Sequence, residues 1–143
     1  MAQAILQNIN PLENPMRTVI RLFFRTLRLV LGPFVLLLEW LQAPKGVRRT
    51  PEAQQAVDAE TRKLTLYQFR TCPFCVKVRQ ELRRLSLDID SRDAQRAGEH
   101  RDGLLAGGGE VKVPCLRITG DDGSERWLYE SDAIIAFLRS RFA

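Results

Sequence analysis

The feature that most restricts what this chain can fold into is a change of period across residues 64–85. Leu64-Thr65-Leu66-Tyr67-Gln68-Phe69 alternates as a strand does, and the stretch opened by Cys72-Pro73 places Val76, Val78, Leu82 and Leu85 at roughly helical spacing. Proline suits the first turn of a helix, because the N–H it lacks would have no intrahelical partner there. A strand that runs straight into a helix predicts the first half of a βαβ unit. The later periods continue the pattern: a short strand at 87–90, a polar helix at 93–105 stopped by Gly107-Gly108-Gly109, and a strand at 113–119. A turn at Gly120-Asp121-Asp122-Gly123 then leads to a strand at 125–129 and a closing helix at 131–142 with Ile134, Ile135, Leu138 and Phe142 inward. The order βαβαββα predicts an α/β domain, one four-stranded mixed sheet with helices on both faces. That domain is expected over residues 62–143, about 80 residues, enough for one small core.

The upstream third has a different character. Of 22 basic and 17 acidic residues, seven basic and only two acidic ones lie in residues 1–50, so the whole +5 excess sits there and the remainder is neutral. A neutral C-terminal domain argues against a nucleic-acid partner. Residues 1–16 read as a loose tail, 17–42 as an apolar and basic helix, and 43–61 as a linker whose second half forms a short polar helix from Thr50-Pro51. Arg17, Arg21, Arg25 and Arg28 recur at spacings of 4, 4 and 3, one helical stripe beside Leu22, Phe23, Leu27 and Val30. That pattern fits a helix lying in an anionic membrane surface, with Gly32-Pro33 expected to kink it. The uninterrupted apolar run, 29–38, is short against the about 20 residues that a membrane span needs. A tilted span with snorkelling arginines, a signal peptide, and a helix packed on protein are the rival readings.

Three cysteines are too few for a disulfide-stapled scaffold, and an odd count leaves a free thiol. A reducing compartment or a catalytic thiol follows, and with the basic helix this predicts the cytoplasmic side of a membrane. Cys72-Pro73-Phe74-Cys75 lies at the strand-to-helix junction, where Cys-x-x-Cys is redox-active. A cysteine at the helix N-cap faces unpaired N–H groups and the positive end of the helix dipole, which favour thiolate. Cys72 is therefore the expected nucleophile and Cys75, one turn on, the expected resolving thiol. Arg70 would add positive potential, or simply be an exposed strand-end arginine. A zinc site would have to recruit Cys115 and His100 and has no second close ligand pair, so no metal is expected. Cys115 itself reads as a small core residue.

At this point residues 62–143 resemble the glutaredoxins and the N-terminal, thioredoxin-fold domain of the glutathione transferases. The segment from Leu64 through Cys72-Pro73-Phe74-Cys75 to Arg79 is also similar to that of the membrane-associated prostaglandin E synthases of the second type. The resemblance implies a cis proline at Val113-Pro114, with the Val113 backbone pairing the cysteinyl part of glutathione. It further implies that Glu130 and Ser131 hold the γ-glutamyl group at a helix N-terminus, although Ser131 would also serve as a plain cap. Lys112 is a candidate for the glycine carboxylate or a plain surface lysine, and Phe74 and Arg70 are further candidates for glutathione binding. Glutaredoxins usually have Gly-Gly and Asp-Asp where this chain has Glu130-Ser131, a departure toward the transferase pattern. The presence of Pro73 and a second cysteine argues against the iron–sulfur cluster bound by relatives with Cys-Gly-Phe-Ser.

The expected function is that of a membrane-tethered, glutathione-dependent thiol–disulfide oxidoreductase acting on protein or low-molecular-weight disulfides. A glutathione transferase or isomerase is the alternative, with any acceptor pocket coming from a dimer or the membrane segment because no helical domain follows Phe142. A redox-sensing, membrane-anchored interaction module is a third.

Overall fold

A computed structural model describes residues 15–143. In chain order they form α1 (Pro15–Leu41), α2 (Pro51–Thr61), β1 (Leu64–Gln68), α3 (Pro73–Arg84), β2 (Asp90–Asp93), α4 (Glu99–Gly108), β3 (Cys115–Thr119), β4 (Glu125–Tyr129) and α5 (Ser131–Phe142). The tail expected at 1–16 lies, but for its last two residues, outside the described residues. The chain divides into two compact units, Met1–Leu37 and Leu38–Ala143.

α1, whose last turn belongs to the second unit, is unbroken α-helix through Gly32-Pro33. Proline there removes one N–H donor, and the hydrogen bonds on either side carry the helix past it. Leu22, Phe23, Phe24, Leu29, Val30 and Phe34 are all exposed along it. Among the described residues no helix is long and apolar enough to cross a membrane.

The second unit is built on a four-stranded sheet in the order β2-β1-β3-β4. β1 pairs parallel with β2 and antiparallel with β3, and β3 pairs antiparallel with β4. With the helices on its two faces, this is the thioredoxin-like arrangement. Alternation along the central strands sorts the core into two layers. Leu64, Leu66 and Leu116 point toward α3 and α5, where Val78, Leu82, Ile134, Leu138 and Phe142 close over them. Tyr67 and Cys115 point the other way, against Ala94 and Leu104 of the α4 side, with Trp127 and Tyr129 packed on that cluster. Across α3 and α5, the buried Glu81 carboxylate accepts hydrogen bonds from Arg139 at 2.9 and 3.1 Å and from Arg84 at 2.5 to 3.2 Å. These guanidinium groups hold its acid down to about 2.

Four expected boundaries move. The second strand is Asp90–Asp93 rather than 87–90: Leu87 and Ile89 are core residues leading to it, and the ladder begins where Asp90 meets Thr65. The helix placed at 93–105 begins only at Glu99, because the Asp93 side chain accepts from the Gln95 N–H and turns the chain first. It then runs through Gly107 and Gly108 and stops at Gly109, which is left-handed at φ 87°. A Cβ on Gly107 would sit 2.0 Å from the Trp127 ring, so the close approach of β4 requires glycine there. The third strand starts at Cys115, since Pro114 has no N–H for the ladder.

Residues 43–61, expected as a linker, are packed on the domain. Arg49 donates to the Leu85 and Phe142 carbonyls at 2.6 and 2.8 Å, Ser86 Oγ donates to the Val47 carbonyl, and Gln54 Nε2 to the Ser86 carbonyl. The polar helix within it starts as read, with Thr50 Oγ1 accepting from the Ala53 N–H and Pro51 in the first turn.

Candidate functional site

β1 delivers the chain to a tight turn, in which the Cys72 N–H donates to the Phe69 carbonyl at 3.3 Å, and α3 starts immediately after it. Cys72 is the helix N-cap, with extended backbone (φ −72°, ψ 123°); its carbonyl accepts the first helical bond, from Val76, and its thiol makes no capping bond. The two thiols of the motif differ sharply in environment. Cys72 is partly exposed and Cys75 is fully buried. The Cys75 sulfur accepts the Phe69 N–H at 3.5 Å. Burial pushes its thiol up to about 12, with the Cys72 sulfur acting in the same direction and the Phe69 N–H partly opposing. At neutral pH Cys75 is therefore protonated.

The start of β3 and the β4–α5 junction lie at the same end of the sheet as the end of β1. The Val113–Pro114 peptide is cis. Tyr67 pairs with Cys115, and Cys115 with Tyr129. At this end of the sheet, from which the Cys72 turn leaves, β1 finishes at Gln68, Pro114 directly precedes β3 and Glu130 directly follows β4. Glu130 lies at φ 70°, ψ 126°, as the residue before α5. For a side-chain-bearing residue that conformation costs about 1–3 kcal/mol, and such positions concentrate at functional sites. Its carbonyl accepts from Ile134 at 3.0 Å, and Ser131, the first helical residue, is buried. Lys112, expected at a glycine carboxylate, forms an ion pair with Glu130 itself. Phe74 is 63% exposed beside Cys72, and Arg70 is exposed on the turn.

Two residues of this region escape a reading of motifs. Arg79, on the second turn of α3, is a four-way donor: Nε and Nη2 to the two oxygens of Glu39 at 2.8 and 2.7 Å, Nη1 to Gln68 Oε1 at 2.7 Å, and Nη2 to the Arg70 carbonyl at 2.8 Å. Glu39 is buried, and Arg79 holds its carboxyl below the usual range. The available signal was thin: one acid in an apolar stretch, and an arginine one helical turn beyond Cys75. Lys77 and Asp132, 2.5 Å apart, also join the first turns of α3 and α5.

The third thiol directly follows Pro114 and points into the core on the α4 side. Cys115 is fully buried among Tyr67, Ala94 and Leu104, and burial raises its thiol to about 11. His100 is exposed on α4. Among the described residues no three histidine, cysteine, aspartate or glutamate side chains converge as metal ligands.

The family described as glutathione S-transferase, N-terminal domain, matches residues 66–143. No curated protein matches significantly. Among solved structures, a trimeric glutathione transferase of Leishmania is 28% identical over 56% of this chain and 18% of its own, with a TM-score of 0.47. A maleylacetoacetate isomerase from Anaeromyxobacter dehalogenans, solved with dicarboxyethyl glutathione, is 26% identical over 56% of this chain and 37% of its own, TM-score 0.42. A wheat glutaredoxin is 20% identical over 63% of this chain and 84% of its own, TM-score 0.42. The chain thus spans less than two fifths of the length of that transferase and that isomerase. With over half of its residues matched by the family, from within β1 through α5, the chain belongs to the glutathione S-transferase N-terminal domain family.

Proposed function

We propose that this domain is a glutathione-dependent thiol–disulfide oxidoreductase. The observation that carries the reading is the asymmetry of the thiol pair: Cys72 partly exposed at a helix N-cap, Cys75 buried and protonated behind it. In this reading the Cys72 thiolate attacks the glutathione sulfur of a protein or low-molecular-weight mixed disulfide. The substrate sulfur leaves as thiolate and takes a proton, and Cys72 carries glutathione as a disulfide. A second glutathione, as thiolate, attacks that glutathionyl sulfur; Cys72 leaves as thiolate and oxidised glutathione departs. Over the cycle the substrate sulfur is reduced to a thiol and the sulfur of the second glutathione is oxidised to the disulfide level, while the glutathionyl sulfur that the substrate carried remains in a disulfide throughout. The γ-glutamyl group would meet the α5 N-terminus at Glu130 and Ser131, its charge suiting the dipole there. The glutathione backbone would pair with Val113 beside Pro114, and Lys112 would exchange Glu130 for the glycine carboxylate.

We place the enzyme at an anionic membrane surface, on the cytoplasmic side. The support is the stripe of Arg17, Arg21, Arg25 and Arg28 on a helix whose bulky apolar side chains are exposed.

Turnover of a glutathionylated peptide by the full chain with excess glutathione tests the catalytic reading. Cys72→Ser should abolish it, and full activity of that variant would refute the assignment. A transferase or isomerase is the second reading, favoured by Glu130-Ser131 at the α5 start. It predicts glutathione conjugation or isomerisation with little mixed-disulfide turnover, and the same preparation distinguishes the two.

A further inference from the structure

A guanidinium group offers five N–H donors in a rigid plane and so can hold several acceptors at fixed angles. Arg79 uses this geometry to join three segments distant in sequence: Glu39 in the last turn of α1, Gln68 at the end of β1, and the carbonyl of Arg70 in the turn that presents Cys72. The side chains of Glu39 and Arg79 are 5% and 14% exposed, so water does not replace the bonds between them, while the bond to the Arg70 carbonyl lies at the exposed turn. Arg83 adds a second guanidinium at 3.3 Å from Glu39. Every residue named here belongs to the Leu38–Ala143 unit.

The contact with the Arg70 carbonyl is the informative one. That carbonyl precedes Cys72 by two residues, in a turn closed by one long backbone bond between Cys72 and Phe69. A bidentate carboxylate on one edge of the guanidinium fixes its plane, and the plane sets where its remaining N–H groups point. Glu39 therefore orients the group that holds the turn, although Glu39 lies 33 positions before the nucleophile.

We propose that Arg79 is a positioning residue for Cys72, oriented by Glu39, so that the last turn of α1 governs the reactivity of the thiol site. The proposal deepens the functional reading in that it takes Cys72 as the reacting thiol. Lysine cannot replace Arg79, because its ammonium is a point charge without the fork.

The test is the rate of Cys72 alkylation by iodoacetamide at neutral pH in the full chain, with the modified residue identified by mass spectrometry and folding followed by circular dichroism. Glu39→Gln and Arg79→Lys should slow alkylation about fivefold, equivalent to about 1 kcal/mol, and Glu39→Asp should restore most of it. Glu81→Gln is the control, since it breaks a comparable buried ion pair of α3 that does not touch the turn. It should lower the melting temperature and leave Cys72 alkylation unchanged. Folded Glu39→Gln and Arg79→Lys proteins with wild-type alkylation rates would overturn the proposal. So would a Glu81→Gln protein slowed as much as Glu39→Gln, because the effect would then be general loosening. Alkylation needs no glutathione, so a wild-type protein that alkylates at Cys72 yet fails to turn over glutathionylated peptide would sink the functional reading separately.

Discussion

Replacing Cys75 by serine should leave glutathione-driven turnover nearly intact. Burial lifts the Cys75 thiol from an ordinary value of 9.0 to about 12, which at pH 7 reduces its thiolate fraction about a thousandfold. A more basic thiolate is a better nucleophile by about 0.4–0.5 log units per pKa unit, which returns a factor of about 20 to 30. The net deficit against an ordinary thiol is about 30- to 50-fold, so free glutathione at millimolar concentration should outrun Cys75 in clearing glutathionylated Cys72. The assay is turnover of a glutathionylated peptide by wild type and Cys75→Ser, with quenched-flow mass spectrometry following glutathione on Cys72. Turnover should agree within about twofold. In wild type without free glutathione, conversion to the Cys72–Cys75 disulfide should quicken about tenfold per pH unit from 7 to 9, as the small thiolate fraction grows. A Cys75→Ser protein that loses more than about tenfold in turnover, or internal disulfide formation indifferent to pH, would refute the reasoning.

Glu81→Gln should cost the most stability where the carboxylate is charged in both the folded and the unfolded state. The folded value, about 2, lies below the ordinary 4.5, so the unfolded state binds more protons between them and the contribution, full above about pH 5, is lost as pH falls toward 2. The full difference would be about 3 kcal/mol; screening at Arg84 and Arg139, whose side chains are 42% and 57% exposed, brings it to about 1–2 kcal/mol. Urea unfolding of both proteins from pH 2 to 7 should show the gap closing in acid, and a constant gap would contradict the assignment. Glu130→Gly should relieve the positive φ, holding or raising stability by about 1 kcal/mol, while weakening glutathione binding about tenfold or more by calorimetry; unchanged affinity would remove Glu130 from the site. Changing Arg17, Arg21, Arg25 and Arg28 to Gln should remove about 1 kcal/mol per charge of binding to anionic vesicles, seen by sedimentation, and wild-type binding that ignores salt and lipid charge would refute the surface reading.

The local chemistry of the site was legible because it is built from neighbours in sequence. Strand period, Pro73 and helical period place Cys72 at an N-cap without reference to the rest of the chain, and Thr50-Pro51 marks the α2 start in the same way. β2 was misplaced for the opposite reason. Asp90-Ser91-Arg92-Asp93 has no apolar face, and it is a strand only because the edge of β1 accepts it. Residues 43–61 look like a linker in composition, and Arg49 becomes structural only once the carbonyls of Leu85 and Phe142 are brought to it.

By itself, then, the sequence determined the order of elements, the place of Cys72 at a helix N-cap and the segregation of positive charge onto the N-terminal third, all properties of short windows or of counting. The tertiary structure alone decided that Cys75 is buried and protonated, that Pro114 and Glu130 reach the end of the sheet where the Cys72 turn leaves, and that Glu39 meets Arg79 across 40 residues. Those outcomes depend on desolvation and on strand register, and neither exists until distant segments have excluded water from between them.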